Sequence, residues 1–266
     1  MTPAVLSSSM GGATLIGAQA CSAPKNERPG SLKDVKALTF DVFGTVVDWR
    51  SSIIAEGEAL GKKKGLDVDW TAVADGWRAG YGPYMNKVRN GELPWTNIDR
   101  LHRMILDELV EQFELQSLSE DELDDFNRGW HRLEPWPDTI EGLSRLRKSY
   151  TIASLSNGNV SLLSNMANRA GIPWDAVLSS ELAKRYKPDP IVYQTAAQLL
   201  GLKHEEVMMV AAHAGDLRAA QGVGFKTAFV HRPFEFGEER RVEASKLTNF
   251  DIVAEDFNDL ADQLGA

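Results

Sequence analysis

Short apolar runs recur along the chain and predict buried strands. They extend from Val35 to Phe40, from Thr151 to Leu155, from Val207 to Ala212 and from Thr227 to Val230, and polar or glycine-containing turns bound each of them. Helix-like segments separate the runs, and this alternation predicts a parallel sheet with helices on both faces. Ligands of such sheets bind at the carboxyl ends of the strands. The polar residues that directly follow the runs are therefore the candidate site.

The segment between Thr45 and Pro135 shows only helical periodicity. The apolar positions at spacings of three and four are Val73, Trp77, Tyr81, Tyr84 and Val88 in one stripe and Ile98, Leu101, Ile105 and Leu109 in the next. Ser119 with Glu122 is typical of a capping box at the start of a third helix. About ninety residues are too many for a loop in a compact domain. We therefore predict an α/β core formed by residues 31–48 and 136–266, with residues 49–135 inserted as a helical cap.

The first thirty residues differ in composition from the rest of the chain, being rich in Ser, Gly, Ala and Pro. The apolar run from Met10 to Ala20 is too short to span a bilayer, and no basic segment precedes it as in an export leader. Residues 1–30 are thus expected to be a disordered extension of a cytoplasmic protein, or alternatively a leader of an exported one. Cys21 is the only cysteine, which excludes an intrachain disulfide.

Overall composition and charge narrow the range of partners. Hydrophobic residues make up 43% and charged residues 25% of the chain, as in an ordinary globular protein. The formal net charge of -9 argues against nucleic acid and anionic membranes as partners, because both repel an acidic surface. A small acidic substrate would need local positive groups to bind.

Polar side chains occur at four strand ends. They are Asp41 with Thr45, Ser156 with Asn157, Lys187 in Tyr-Lys-Pro-Asp, and His213 with Asp216. Each alone has a structural explanation, since Asp, Ser and Asn are common caps and turn residues and lysine is commonly exposed. Their order along the chain is what carries functional information.

In this order, the segments Asp41-Val42-Phe43-Gly44-Thr45, Ser156-Asn157-Gly158, Lys187-Pro188-Asp189 and the later Asp216 resemble the haloacid dehalogenase superfamily. The similarity covers the chain from about residue 35 to its end, and it implies a Rossmann-like α/β core with an inserted all-helical cap. Within the superfamily the chain looks most like the type II (S)-2-haloacid dehalogenases.

The resemblance implies a mechanism with a covalent intermediate. Asp41 would displace the halide from C2 of a small halogenated carboxylic acid, and water would then hydrolyse the aspartyl ester to release a 2-hydroxy acid. Lys187 would keep Asp41 ionised, and Thr45 and Ser156 would orient carboxylate oxygens by hydrogen bonds. Asp216 would pair with Lys187 or position the water.

The same resemblance assigns substrate contacts. Arg78 and Asn157 would hold the departing halide, Phe43 would line the site, and Tyr193 would lie beside the catalytic lysine. His213 departs from the family pattern, which usually has Ser and Asn in this segment. It could serve as the base for the hydrolytic water, or equally donate only a hydrogen bond.

Two missing carboxylates argue against phosphoryl transfer. Phosphatases of the superfamily carry an acid two residues after the nucleophile and a paired acidic motif that binds magnesium, and here these positions are Phe43 and Ala212. We therefore predict neither a metal nor another cofactor. A phosphatase and a non-catalytic binding protein with the same fold remain the alternatives. The preferred halogen, the acid chain length and a homodimeric state are left open.

Overall fold

The computed structural model describes residues 1–2, 32–241 and 249–266. The expected extension or leader at residues 1–30 therefore lies almost entirely outside the described residues. Among the residues that are described, no helix is long and apolar enough to cross a membrane.

A parallel six-stranded sheet organises the part of the chain from residue 32 onward. Its strand order is β5-β4-β1-β6-β7-β8, and all neighbouring pairs are parallel. The strands are β1 (Ala37–Phe40), β4 (Thr151–Ser156), β5 (Ala176–Ser179), β6 (Val207–Ala211), β7 (Lys226–Val230) and β8 (Ile252–Ala254). The predicted parallel α/β sheet is thus confirmed. The sequence analysis missed β5 and β8, both of them short strands towards the edges of the sheet.

Helices cover both faces of this sheet, as predicted. The core helices are α5 (Thr139–Leu146), α6 (Val160–Ala170), α7 (Ser180–Ala183), α8 (Pro190–Leu200), α9 (Ala214–Gly222) and α10 (Phe257–Leu264). Leu38 and Met208 pack in one apolar cluster with residues of α5, α6 and α10. Val207 and Met209 pack in a second cluster with residues of α8 and α9. Successive side chains of a strand point to opposite faces, so a fully buried strand can serve both clusters.

Four helices follow the first strand and form the predicted helical insertion. They are α1 (Trp49–Lys64), α2 (Trp70–Arg89), α3 (Ile98–Gln112) and α4 (Glu120–Asn127). The capping box of Ser119 and Glu122 is present at the start of α4. The division into a core of residues 31–48 and 136–266 and a cap of residues 49–135 stays a prediction.

The prediction of helices alone between Thr45 and Pro135 was wrong at both ends of that segment. Strands β2 (Val47–Asp48) and β3 (Glu134–Pro135) pair antiparallel and form a two-stranded ribbon at the base of the insertion. Two residues are too few to show an alternating pattern. The partner strand is also more than eighty residues away, so no local signal identifies the pair.

Strand ends differ slightly from the apolar runs. The strand predicted to start at Val35 begins at Ala37, because Val35 donates its N–H to the short 3-10 turn that ends at Asp34. The strand predicted to reach Ala212 ends at Ala211. The N–H of Ala212 leaves the ladder and donates to the side chain of Thr45 at 2.9 Å. This bond already ties two of the predicted site loops together.

Candidate active site

Asp41 lies directly after the central strand β1. Its N–H still donates to the carbonyl of Val210 on β6 at 3.0 Å, so its backbone is fixed by the sheet. The chain then turns sharply at Gly44, whose φ of 84° is in the left-handed region that favours glycine. The turn brings Thr45 back towards Asp41. Asp41 itself is only 7% exposed.

Three side chains hold the carboxylate of Asp41. Lys187 Nζ donates to Oδ1 at 2.9 Å, and the hydroxyl of Thr45 donates to Oδ2 at 2.9 Å. His213 Nδ1 lies 2.8 Å from the same Oδ2. Three loops that are far apart in sequence therefore meet at one carboxylate, at the carboxyl end of the sheet where the pattern placed the site.

A second carboxylate lies behind the lysine. Lys187 Nζ is 2.5 Å from Asp216 Oδ2, and the hydroxyl of Tyr193 donates to Asp216 Oδ1 at 2.5 Å. Asp216 thus pairs with Lys187, one of its two expected roles. Tyr193 is fully buried and contacts Asp216, so its link to the lysine passes through that carboxylate.

Charge balance keeps the carboxylate of Asp41 ionised. Burial would raise the pKa of Asp41, but the positive charge of Lys187 and the hydrogen bond with His213 outweigh it and hold the pKa well below its usual value. Burial opposes the charge on Lys187, yet Asp216 and Asp41 together raise its pKa. The pKa of Asp216 is raised, because burial and repulsion from Asp41 oppose its ionisation. Of the two carboxylates that contact Lys187, Asp41 and Asp216, it is therefore Asp41 that is held as an anion.

Glu235 is a site residue that the sequence analysis missed. His213 Nε2 lies 3.0 Å from each of the two Glu235 carboxylate oxygens, and the residue is only 2% exposed. Burial opposes the charged imidazolium, but hydrogen bonds to Asp41 and Glu235 prevail and raise the pKa of His213 to about 10. The only hint in the sequence is an acidic residue between two aromatic ones, Phe234 and Phe236.

A cavity of about 280 Å³ opens above Asp41. Its lining residues are Asp41, Phe43, Arg78, Tyr81, Asn157, Lys187, Pro188, His213, Gly215 and Asp216. Phe43 and Tyr81 form an apolar wall with their rings edge to face, 6.2 Å apart. Charged side chains, among them Arg78 and Lys187, line the rest of the cavity. This combination suits a small ligand with one apolar and one charged part.

Arg78 reaches this cavity from helix α2. Its guanidinium carbon lies 4.5 Å from the ring centre of Tyr81 and 5.4 Å from that of Trp49. Within the described residues, its buried Nη1 has no hydrogen-bond partner. A desolvated guanidinium N–H without a partner is suited to an anion in the cavity.

Two other predicted residues differ in their placement. Asn157 lines the cavity, and its side-chain oxygen Oδ1 accepts the backbone N–H of Lys187 at 2.8 Å, so it also holds the lysine loop. Among the described residues, Ser156 makes no hydrogen bond with Asp41. Instead, Ser156 Oγ accepts the N–H of Gly158 at 3.1 Å, because the hydroxyl is turned into its own loop. The roles assigned to these side chains stay predictions.

The residues present give little support to a metal site. Within the described ranges no group of three His, Cys, Asp or Glu side chains is arranged to hold a metal ion. Phe43 packs against Tyr81 and Trp130, so the position of a phosphatase acid is filled by a ring.

The fold and the site together define an α/β enzyme with an ionised carboxylate ready for nucleophilic attack. The profile of the haloacid dehalogenase-like hydrolases matches residues 35–224, and the chain belongs to that family. It is 28% identical over 211 residues to (S)-2-haloacid dehalogenase 4A of Burkholderia cepacia, covering 74% of this chain and 84% of that protein.

Solved structures of similar proteins agree in fold. A defluorinating L-2-haloacid dehalogenase is 44% identical with a TM-score of 0.84, over 87% of this chain and 96% of that one. Another L-2-haloacid dehalogenase is also 44% identical, with a TM-score of 0.83 over 87% of this chain and 99% of that one. The predicted core with its inserted helical cap is the fold of this family.

Proposed function

We propose that this protein hydrolyses short (S)-2-haloalkanoic acids to 2-hydroxy acids through an ester on Asp41. The observation that carries the proposal is the buried Asp41 carboxylate, paired with Lys187 at 2.9 Å and facing a small, partly apolar cavity. The names of the similar proteins supply the substrate class and its configuration. A binding protein without catalysis would have no need to keep such a pair buried.

In the first step, a carboxylate oxygen of Asp41 attacks C2 of the acid from the side opposite the halogen. A carbon–oxygen bond forms, the carbon–halogen bond breaks, and the halide leaves with the bonding electrons. Configuration at C2 inverts. Chloride, bromide and iodide are the conjugate bases of strong acids and leave without a proton, which suits the apolar Phe43 at the position of a phosphatase acid.

In the second step, water attacks the carbonyl carbon of the Asp41 ester. The bond from the carbonyl carbon to the alkoxy oxygen breaks, and the leaving alkoxide takes up the proton removed from the water, so that the 2-hydroxy acid is released. The new carboxyl group loses the other proton of the water, which restores the carboxylate. His213 is the group placed to take the proton from water, since its Nδ1 lies 2.8 Å from Asp41 Oδ2.

Ester formation would itself convert His213 into a base. Contact with Asp41 helps to raise the pKa of His213, and that contact loses its negative charge when the ester forms. The pKa then falls, although Glu235 still raises it, so Nδ1 releases its proton more readily than in the free enzyme. Glu235 continues to accept from Nε2, which fixes the tautomer with a free lone pair on Nδ1.

Arg78 is our candidate for the halide contact. Its unpartnered Nη1 and its position in the cavity wall place a positive N–H group where negative charge can develop on the leaving atom.

Trapping the ester tests both steps. We expect His213→Asn to release up to one halide per active site from (S)-2-chloropropionate and then to stall, because alkylation needs no general base whereas hydrolysis does. Mass spectrometry of peptides should find the propionate adduct on Asp41. Asp41→Asn is the matched control, because an amide of nearly the same size is a much poorer nucleophile.

An adduct on any residue other than Asp41 would refute the mechanism. Full wild-type turnover in His213→Asn would refute the role of the histidine while leaving the nucleophile intact. Hydrolysis of phosphate esters without halide release would favour the phosphatase alternative.

A further inference from the structure

Trp49 lies between Arg78 and the pair formed by His213 and Glu235. It is the first residue of helix α1, directly after the ribbon strand β2, and it is only 1% exposed. Its indole Nε1–H donates to Glu235 Oε1 at 3.1 Å. The centre of its ring lies 5.4 Å from the guanidinium carbon of Arg78. One side chain therefore contacts a group proposed for each chemical step.

The hydrogen bond to Glu235 restricts where that carboxylate can lie. Oε1 of Glu235 accepts both the indole N–H and a contact from His213 Nε2 at 3.0 Å. A methyl group on Gly44 would lie only 2.2 Å from the same oxygen, so the glycine turn leaves just enough room for the carboxylate. Trp49 and Gly44 thus fix Glu235 from two directions.

The ring of Trp49 acts on the other half of the site. Arg78 lies near the rings of both Trp49 and Tyr81, which can attract a guanidinium without using its N–H donors. Such contacts hold the cation while leaving Nη1 open to an anion. Trp49 also stacks on Trp130, with centroids 6.2 Å apart and planes at 16°, so the ring has little freedom to move.

We infer that Trp49 is a positioning residue that aligns Arg78 through its ring for carbon–halogen cleavage and aligns the His213–Glu235 pair through its N–H for ester hydrolysis. The inference rests on the proposed function, and it assigns separate parts of one side chain to the two steps. Trp49 does not line the cavity and is not a catalytic residue.

Single-turnover kinetics of Trp49→Phe separates the two parts. Phenylalanine keeps an aromatic ring near Arg78 but has no N–H for Glu235. We expect the rate of the first halide release to stay within about threefold of wild type, and the decay of the Asp41 ester to slow by about tenfold, as expected for loss of one hydrogen bond to a charged group. Trp49→Leu should slow both steps, because it also removes the ring.

Trp130→Phe is the matched control. Trp130 is as buried as Trp49 and stacks on it, but within the described residues its Nε1 has no hydrogen-bond partner. Phenylalanine at position 130 keeps a ring against Trp49 and removes only an N–H that has no partner among those residues, so we expect both rate constants of Trp130→Phe to remain near wild type. Thermal unfolding of all three variants shows whether the fold is kept.

The possible outcomes distinguish failure of the role inferred for Trp49 from failure of the proposed function. Unchanged ester decay in Trp49→Phe would refute the role of the N–H, and equal slowing in Trp130→Phe would show that packing alone is responsible. Unchanged first halide release in Trp49→Leu would refute the role of the ring. Absence of an Asp41 ester in the wild-type enzyme would refute the proposed function itself, and the role of Trp49 would fall with it.

Discussion

Replacing His102 should reduce the loss of folding stability that the protein undergoes as the pH falls. The residue is on helix α3, fully buried, and its ring stacks on Trp130 at 4.1 Å. In the described structure neither ring nitrogen has a hydrogen-bond partner. Burial lowers the pKa of His102 to about 3, and the nearby charge of Arg78 adds to this while Asp99 opposes it. The folded protein therefore holds this ring neutral where an unfolded chain would protonate it.

The size of the effect follows from the difference between the two pKa values. An unfolded histidine has a pKa of about 6.5, so between pH 6.5 and pH 3 the unfolded state binds more protons than the folded one. Stability from this group is complete above pH 6.5 and is lost as the pH falls towards the folded pKa. The loss is about 2 kcal/mol at pH 5 and on the order of 5 kcal/mol at pH 3.

Urea denaturation at pH 7.5 and pH 5 measures this contribution. The wild-type free energy of unfolding should fall by about 2 kcal/mol more than that of His102→Phe over this interval. His102→Leu should match the phenylalanine variant in its pH dependence, although the two differ in packing. If both variants kept the whole wild-type decrease between these pH values, the buried ring would not be the neutral group that its environment implies.

Two further predictions concern catalysis. Arg78→Lys should lose on the order of a hundredfold in kcat, because an ammonium cannot reproduce the directed N–H donors of a guanidinium, whereas a rise in KM alone would show that Arg78 only binds the carboxylate. Halide release should persist in EDTA, since Phe43 and Ala212 stand where phosphatases keep carboxylates, and complete inhibition that magnesium reverses would contradict this expectation.

Local patterns were sufficient to predict the elements that carry the site. Asp41, Ser156 and His213 each follow an apolar run, and such runs end at the same edge of a parallel sheet. Contacts between these loops then follow from topology alone. The apolar stripes on helices α2 and α3 could also be predicted from the sequence, because the buried positions of a helix recur every three to four residues.

Some side-chain orientations could not be predicted in this way. Ser156 is the last residue of its strand, and its hydroxyl accepts the N–H of Gly158 and makes no hydrogen bond with Asp41. The reason is that several local donors and acceptors lie within reach of a hydroxyl next to a loop, and the loop geometry decides with which of them it forms a hydrogen bond.

The sequence by itself determined the four central strands, their alternation with helices, the helical insertion and the chemical groups at the strand ends, because these depend on local periodicity. Only the tertiary structure decided which distant groups meet. Glu235 reaches His213 from 22 positions away and Trp49 from 186 positions away, and a β2–β3 ribbon joins the two ends of the cap. Such contacts depend on the paths of whole loops and helices in space, which no neighbouring residues in the chain encode.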